Sequence, residues 1–508
     1  MMMSQKLFSE VKNNSFPLDL KEIPILKYDL FYDQVSHFLE SEAKHCVAYY
    51  GVAISGILKF FCYIADDNDK SIAVFSHELD MDKPILKSLT KVCTQLQIFE
   101  REIHENFGVE FNGHPWLKPL RYSYDRFDKS KIIGNYPFYT IESEELHEVG
   151  VGPVHAGIIE PGHFRFICNG EKVLHLEIQL GYQHRGIEKL FIERKDSLQR
   201  CILSESIAGD TSVGHALAHS QLIESIAGIE VSEKLQIERC IALEMEKIAV
   251  YIGDTAALCG DVAYQLGQVV CEALRTLIIN STQLWCGNRF GKGLLRPGGS
   301  NYPLSEDVAD GVLKIITDVD SRFCEVTDCI YSLPSLLARF EDIGKVTQQQ
   351  ALMSGAVGMA ARTCGIPRDI RITHPFQFYR SFPVQQVTLE TGDVFARGIL
   401  RNLEVRESIK ILSGLIGIWR KKEKGINKPV YNYELKQNCV GISIVEGWRG
   451  EICHTAITDN DGKILHYKVK DPSMHNWMVL ALAVRNQEIS DFPICNKSFN
   501  LSYCGNDL

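Results

Sequence analysis

The chain has 508 residues, 45% of them hydrophobic and 23% charged, with a formal net charge of −10. That length exceeds what a single core fills, so two or more domains are expected, and the acidic balance excludes a nucleic-acid partner, whose phosphates call for a basic face. The first ten residues, Met1 to Glu10, lack an apolar core of signal-peptide length, and no apolar run approaches the ~20 residues that span a bilayer. The expected location is therefore cytoplasmic, with attachment to the inner face of the cell membrane made through partner subunits.

Sixteen cysteines are a high number, yet no two of them form a C-x-x-C. Cys324 and Cys329 come nearest, and their spacing suits neither a zinc ribbon nor a cluster motif. The expectation is scattered, buried thiols in a reducing compartment, with no metal or iron–sulfur cluster held by this chain.

Residues 47–53, 58–64 and 71–75 are predicted strands, the last after a polar turn at Asp66-Asp67-Asn68-Asp69. Residues 87–99 are predicted to be a helix, leading into Phe99-Glu100-Arg101-Glu102-Ile103-His104-Glu105-Asn106-Phe107-Gly108. Gly108 supplies a left-handed cap, and Gly113-His114-Pro115 forms a turn that forbids continuation. A stretch rich in tyrosine and charge follows. Gly152-Pro153-Val154-His155-Ala156-Gly157 opens a second unit. Residues 173–180 alternate, with Leu174, Leu176, Ile178 and Leu180 on one face and His175, Glu177 and Gln179 on the other. That predicts a half-buried strand in a small antiparallel sheet, whose tight turn presents His163.

The segment 233–258 carries Ile241, Met245, Ile248 and Ile252 on one helical face. Further helices are expected over 261–285, 305–340 and 392–419. The loop Gly287-Asn288-Arg289-Phe290-Gly291-Lys292-Gly293 lacks the P-loop spacing and follows a helix, which argues against a phosphate cradle. Arg420-Lys421-Lys422-Glu423-Lys424 is a solvated run. Residues 440–445, 451–457 and 463–469 are predicted strands, with Asp461-Gly462 as a hairpin turn.

Three pieces carry a resemblance. They are Gly181-Tyr182-Gln183-His184-Arg185-Gly186-Ile187-Glu188, Ala208-Gly209-Asp210-Thr211-Ser212-Val213-Gly214-His215 and Asp471-Pro472-Ser473-Met474-His475-Asn476. Together they resemble the large subunit of membrane-bound [NiFe]-hydrogenases and the D subunit of complex I. The run from Phe99 to Pro115 resembles the C subunit of complex I, and the tail from Phe492 resembles the ending of the large-subunit family. These two complex I components also occur fused in this order in large subunits of formate-hydrogenlyase type.

The resemblance implies an α+β fold: a small mixed docking domain over 1–130, a linker over 131–147, and a long-helix bundle with small antiparallel sheets over 148–508. In the hydrogenase branch, four thiolates of C-x-x-C and D-P-C-x-x-C hold nickel and iron. The matching positions here are Ala208, Thr211, Ser473 and Asn476, none of them cysteine. Alanine offers no donor atom, and neutral oxygens would not hold nickel.

By the same resemblance His163 and Asp261 take the places of the complex I pair that delivers a proton to a quinone. They are expected to hydrogen-bond. His184, Arg185, Glu188, Ala208, Thr211, His215, Ser473 and Asn476 would line the pocket. The tyrosine that complex I places near the start of its first helix is missing between Leu203 and Asp210. His215 and His219 share a helix face without a third ligand, and Arg185 and Glu188 either pair with each other or face a neighbouring cluster.

The implied function is that of a large subunit in an NAD-linked, energy-converting electron-transport complex. It would bind a quinone-like acceptor without hydrogenase activity, with iron–sulfur clusters on a small partner subunit and antiporter-like integral membrane subunits below. The alternative is a non-catalytic structural subunit that couples an iron–sulfur module to the membrane arm. A hydrogenase with substituted ligands is the third and weakest reading.

Overall fold

The computed structural model describes residues 6–12, 14–54, 56–80, 84–155, 159–423, 425 and 428–508. The expectations for Met1 to Gln5, Ala156-Gly157 and Lys424 lie outside these described residues. The fold is α+β, as the sequence implies.

The N-terminal sheet runs in the order Ser9–Val11, Ser71–Leu79, Ile57–Asp66, Lys44–Ile54, with Ile25–Leu26 added in parallel to Ser71–Leu79. Phe31, Tyr49, Phe60, Phe75 and Phe99 pack on one face, under the helices Tyr28–Phe38 and Gln97–Phe107. The expected helix over 87–99 is displaced: Ile85–Lys87 is a strand and the helix begins at Gln97. A buried carboxylate explains the shift. Glu100 accepts from Leu89 N at 2.7 Å, Ser88 Oγ at 2.5 Å and Thr90 Oγ1 at 2.6 Å, so segment 88–90 wraps around it rather than coiling. Gly108 closes the helix at φ 72°, the cap read from the sequence.

A second sheet, ordered Ile464–Lys470, Gly450–Thr458, Cys439–Gly447, Leu18–Asp19, joins both ends of the chain. The N-terminal strand pairs Leu18 with Val440 and Asp19 with Cys439. Buried charges add to this seam: Glu451 binds Lys470 and lies 2.7 Å from His45, and Glu102 binds Lys468 at 2.5 Å.

The helix Glu233–Asp261 packs between Gln265–Cys286 and Val394–Trp419, and Gln265–Cys286 in turn packs on Glu306–Ile330. One core runs from Tyr50 and Phe61 through Ile442 to Ile248 and Leu412. Thirteen of the sixteen cysteines are buried, all are free, and Cys329 is exposed; the expectation of scattered thiols holds.

The third sheet, Lys172–Gln179, His163–Asn169, His147–Val151, corrects two expectations. His163 opens its strand, at the end opposite the hairpin turn at Gly170. In residues 172–179 the face expected to be polar and exposed is covered: Glu177 is 1% exposed and Gln179 3%, while Leu174 on the other face is 39% exposed. Trp116, Lys118, Tyr136 and the Tyr139 amide all bond the Glu177 carboxylate and hold the covering segment over it.

Candidate functional site

The site forms where the helix Ser212–Ala227, the hairpin at Trp448-Arg449 and the helix Ser473–Ala483 meet. The hairpin is tight, with Gly447 paired to Gly450. Its tip approaches another backbone so closely that a Cβ on Gly358 would stand 2.2 Å from Gly450 Cα. Only glycine fits such an approach. The hairpin delivers Arg449, whose guanidinium donates to both oxygens of Asp210, at 2.7 and 2.6 Å, and to Thr211 Oγ1 at 3.1 Å. Trp448 Nε1 donates to Asp210 O at 3.0 Å, and Arg449 lies over its own neighbour's ring at 3.8 Å.

The four positions singled out in the sequence do converge on this region, but their polar atoms are engaged by protein. Thr211 Oγ1 accepts from Arg449 and donates to Asp210 Oδ1 at 3.0 Å. Ser473 Oγ accepts from Ser502 N at 2.9 Å. Asn476 latches Val357 like a strand partner: its Oδ1 accepts from Val357 N and its Nδ2 donates to Val357 O, both at 3.2 Å. Ala208 is fully buried and offers no donor. No group of three or more His, Cys, Asp or Glu able to hold a metal occurs among the described residues.

Behind this frame lies a buried array of hydrogen bonds. Asp471 Oδ2 is 3.2 Å from His215 Nε2, His215 Nδ1 is 3.1 Å from His454 Nε2, and Tyr467 Oη is 2.8 Å from both His454 Nδ1 and His219 Nδ1. All five residues are at most 1% exposed. Burial opposes ionisation of Asp471, but His215 and Arg449 hold its carboxyl below the usual range. Burial, then His215 and His219, holds His454 well below its ordinary value, and burial pulls His219 down to about 3.

Burial holds the His454 and His219 rings neutral, so each carries one N–H and one bare ring nitrogen. The Asp471 carboxylate accepts from His215 Nε2–H, and the direction of the other three bonds follows the tautomers of the rings. His219 Nε2 is buried without a partner among the described residues.

Glu246 stands on the other side of Asp210. Its two oxygens accept from Val213 N at 2.7 Å and Gly214 N at 3.1 Å, at the start of the helix Ser212–Ala227. Burial pushes its carboxyl up to about 8, against those two donors.

The other expected residues are placed differently. His163 Nδ1 is 2.9 Å from Gly152 O, and Asp261 is exposed at a helix end with Lys497 as the cation facing it. The expected His163–Asp261 pair does not form: His163 turns to the Gly152 carbonyl, and Asp261, in the last turn of its helix, faces Lys497. Arg185 and Glu188 do not pair either. Arg185 clamps the carbonyls of Ser206, Ile207 and Cys504, at 2.6, 2.9 and 2.9 Å. Glu188 accepts from Val469 N at 2.9 Å and meets Lys468 at 3.0 Å. His184 Nδ1 lies 2.8 Å from Asp507 O.

Arg449, Glu246, His454 and Tyr467 were not found from the sequence. The one signal was Gly447-Trp448-Arg449-Gly450, a glycine-framed tip carrying a cation; the other three read as ordinary members of helix and strand.

Comparison with known proteins agrees with this architecture. Residues 32–132 match the family of the respiratory-chain NADH dehydrogenase 30 kDa subunit, and residues 261–440 match that of the 49 kDa subunit. Hydrogenase-4 component G of Escherichia coli (strain K12) is 25% identical over 91% of this chain and 81% of its own length. The NADH-quinone oxidoreductase C/D polypeptide of Phocaeicola vulgatus is 26% identical, over 84% of this chain and 88% of its own. The chain is a large subunit of the complex I and group 4 hydrogenase type.

A chain from the structure of the membrane-bound sulfane sulfur reductase, an archaeal respiratory membrane complex, shares the fold at TM-score 0.67. It is 20% identical and covers 73% of this chain and 100% of the other. Membership makes this chain a subunit of an oxidoreductase complex. No helix among the described residues is long and apolar enough to cross a membrane.

Proposed function

We propose that this large subunit retains the frame of a [NiFe] site without the metals and uses it to move protons within a membrane-bound redox complex. One observation carries the reading: Thr211, Ser473 and Asn476 are latched to protein partners and Ala208 has no donor, so no open set of soft ligands faces the pocket. No step of the mechanism is routed through nickel or iron.

What the frame offers instead is a relay. With the tautomers that direct each N–H toward Asp471, a proton taken up at His219 Nε2 releases the His219 Nδ1 proton to Tyr467. The hop repeats through His454 and His215 and ends as a neutral carboxylic acid on Asp471, with every ring again neutral. Arg449 beside Asp471 disfavours that protonated end state, so Asp471 is poised to give the proton up. By family resemblance, electrons arrive from clusters on a small iron–sulfur subunit, and antiporter-like membrane subunits use the coupled change. The quinone-like acceptor has lost the His163–Asp261 pair on which its proton delivery rested.

The test is Tyr467→Phe in the assembled complex, in membrane vesicles driven by a reduced viologen dye. The relay predicts proton uptake at least tenfold slower, with a larger solvent isotope effect and folding retained by thermal melt. Unchanged uptake in a folded complex would put the second reading first: a non-catalytic subunit that couples the iron–sulfur module to the membrane arm. The absent His163–Asp261 contact is the observation that favours it.

A further inference from the structure

A cavity of about 260 Å³ opens at the seam between the helix Gln97–Phe107, the strap Arg121–Asp125 and the turn His184–Lys189. At ~30 Å³ per water it holds several waters, or the end of one long side chain. Glu102, Glu105, Asp125 and Glu188 line it against the two cations Arg121 and Lys189. The carboxylates are not equivalent. Glu105 accepts from the amides of Arg121 and Tyr122 at 2.9 and 2.6 Å, and Glu188 is held by Lys468 and Val469.

Glu102 is 4% exposed and receives both Arg121 and Lys468 on a single oxygen, Oε1. Its Oε2 is buried without a partner among the described residues. A buried carboxylate oxygen left bare is costly, and a donor entering the cavity would relieve that cost. At the mouth, Asp125 is engaged by Lys189 at 2.5 Å, with side chains 60% and 51% exposed. Such a surface pair is weak and readily exchanged. Tyr124 stands beside it, 83% exposed.

We propose that this cavity receives an arginine side chain from a partner subunit. Its guanidinium would bond Glu102 Oε2, lie on the Tyr124 ring and take Asp125 from Lys189. A bare buried carboxylate oxygen, an exposed aromatic face and a second carboxylate at the rim are together the chemistry of guanidinium recognition. Arginine suits it better than lysine because its planar, weakly hydrated head both stacks and forks. The partner part of this inference rests on membership in a multi-subunit complex; the cation site does not.

Two measurements separate those parts. Calorimetry on the full-length chain uses n-butylguanidinium, with n-butylurea as the neutral control. Binding of the cation alone is expected, weakened at least tenfold by Glu102→Gln and severalfold by Tyr124→Ala. Because Glu102→Gln also unties Arg121 and Lys468, the exposed Tyr124→Ala, with an unchanged melting temperature, keeps the test independent of folding. Equal binding by the Tyr124→Ala variant and the parent, or no binding at millimolar cation, overturns the site. In the assembled complex, a photo-crosslinking residue at position 124 is expected to capture a partner peptide containing arginine at the crosslink. A captured peptide without arginine, or no crosslink, overturns the partner while leaving the cation site standing.

Discussion

Asn476 shows how one side chain ties two elements together. It pairs both Val357 backbone groups at depth. Asn476→Ala would strand a buried N–H and a buried C=O, at about 1–3 kcal/mol for each group left unpaired. Urea unfolding should register that loss; a variant within 0.5 kcal/mol of the parent, about the scatter of neutral surface changes, would show that the latch is dispensable.

Glu246 gives a pH signature. Its folded value, near 8, lies above the ordinary 4.5, so the folded chain keeps a proton that the unfolded chain releases. That stability is fully present below 4.5 and is lost as pH rises through 8. Thermal melts across this range should show the parent losing ground to Glu246→Gln with each step upward. Parallel curves would remove Glu246 from the account. At this scale, the identity of Ala208, Thr211, Ser473 and Asn476 was legible in the sequence, because the lack of a thiol needs no fold to be read; their assignment to ligand positions comes from the resemblance. It did not reveal Arg449 or Tyr467, whose roles depend on a hairpin tip and a strand partner hundreds of residues from Asp210 and His219.

Among elements, the long helices and the C-terminal strands were legible from periodicity, since apolar spacing alone sets which face is buried. The segment from Gly344 to Thr373 was not legible. Its short helices are held by charge rather than by an apolar stripe. Arg362 and Arg371 meet Asp369 at 3.2 and 2.7 Å, Arg371 meets Glu404 and Glu244 at 3.1 Å each, and Lys247 meets Glu404 at 3.3 Å. Arg362 also binds Glu404 directly. Against the cost of burial, Arg362, Lys247 and Arg371 hold the Glu404 carboxyl down at about 2. This cluster ties the helices Glu233–Asp261, Gly358–Arg362, Ile370–Thr373 and Val394–Trp419 together. Glu404→Gln leaves three buried cations short of one anion and is expected to cost about 3–5 kcal/mol. A change under 1 kcal/mol in denaturant unfolding, the scale of an exposed ion pair, would mean that neighbouring carboxylates compensate.

For the whole molecule, sequence similarity divides the chain where the structure binds it together. Leu18–Asp19 completes the C-terminal sheet, Met474 packs with Phe99 and Leu96, and Lys468 and Glu451 find Glu102 and His45 across the seam. No composition shift announces these contacts, because they join residues more than 350 positions apart. Calorimetry should therefore show one unfolding transition for the full chain. Two resolved transitions would mean that the N-terminal region folds independently and only docks.

On the proposed reading, this frame works without nickel and iron. Metal analysis of the intact, anaerobically purified complex, paired with an assay for hydrogen-dependent dye reduction, tests it most directly. We predict iron in the amount that partner clusters account for, no stoichiometric nickel, and no dye reduction under hydrogen. One nickel per complex together with hydrogen-dependent dye reduction would contradict it.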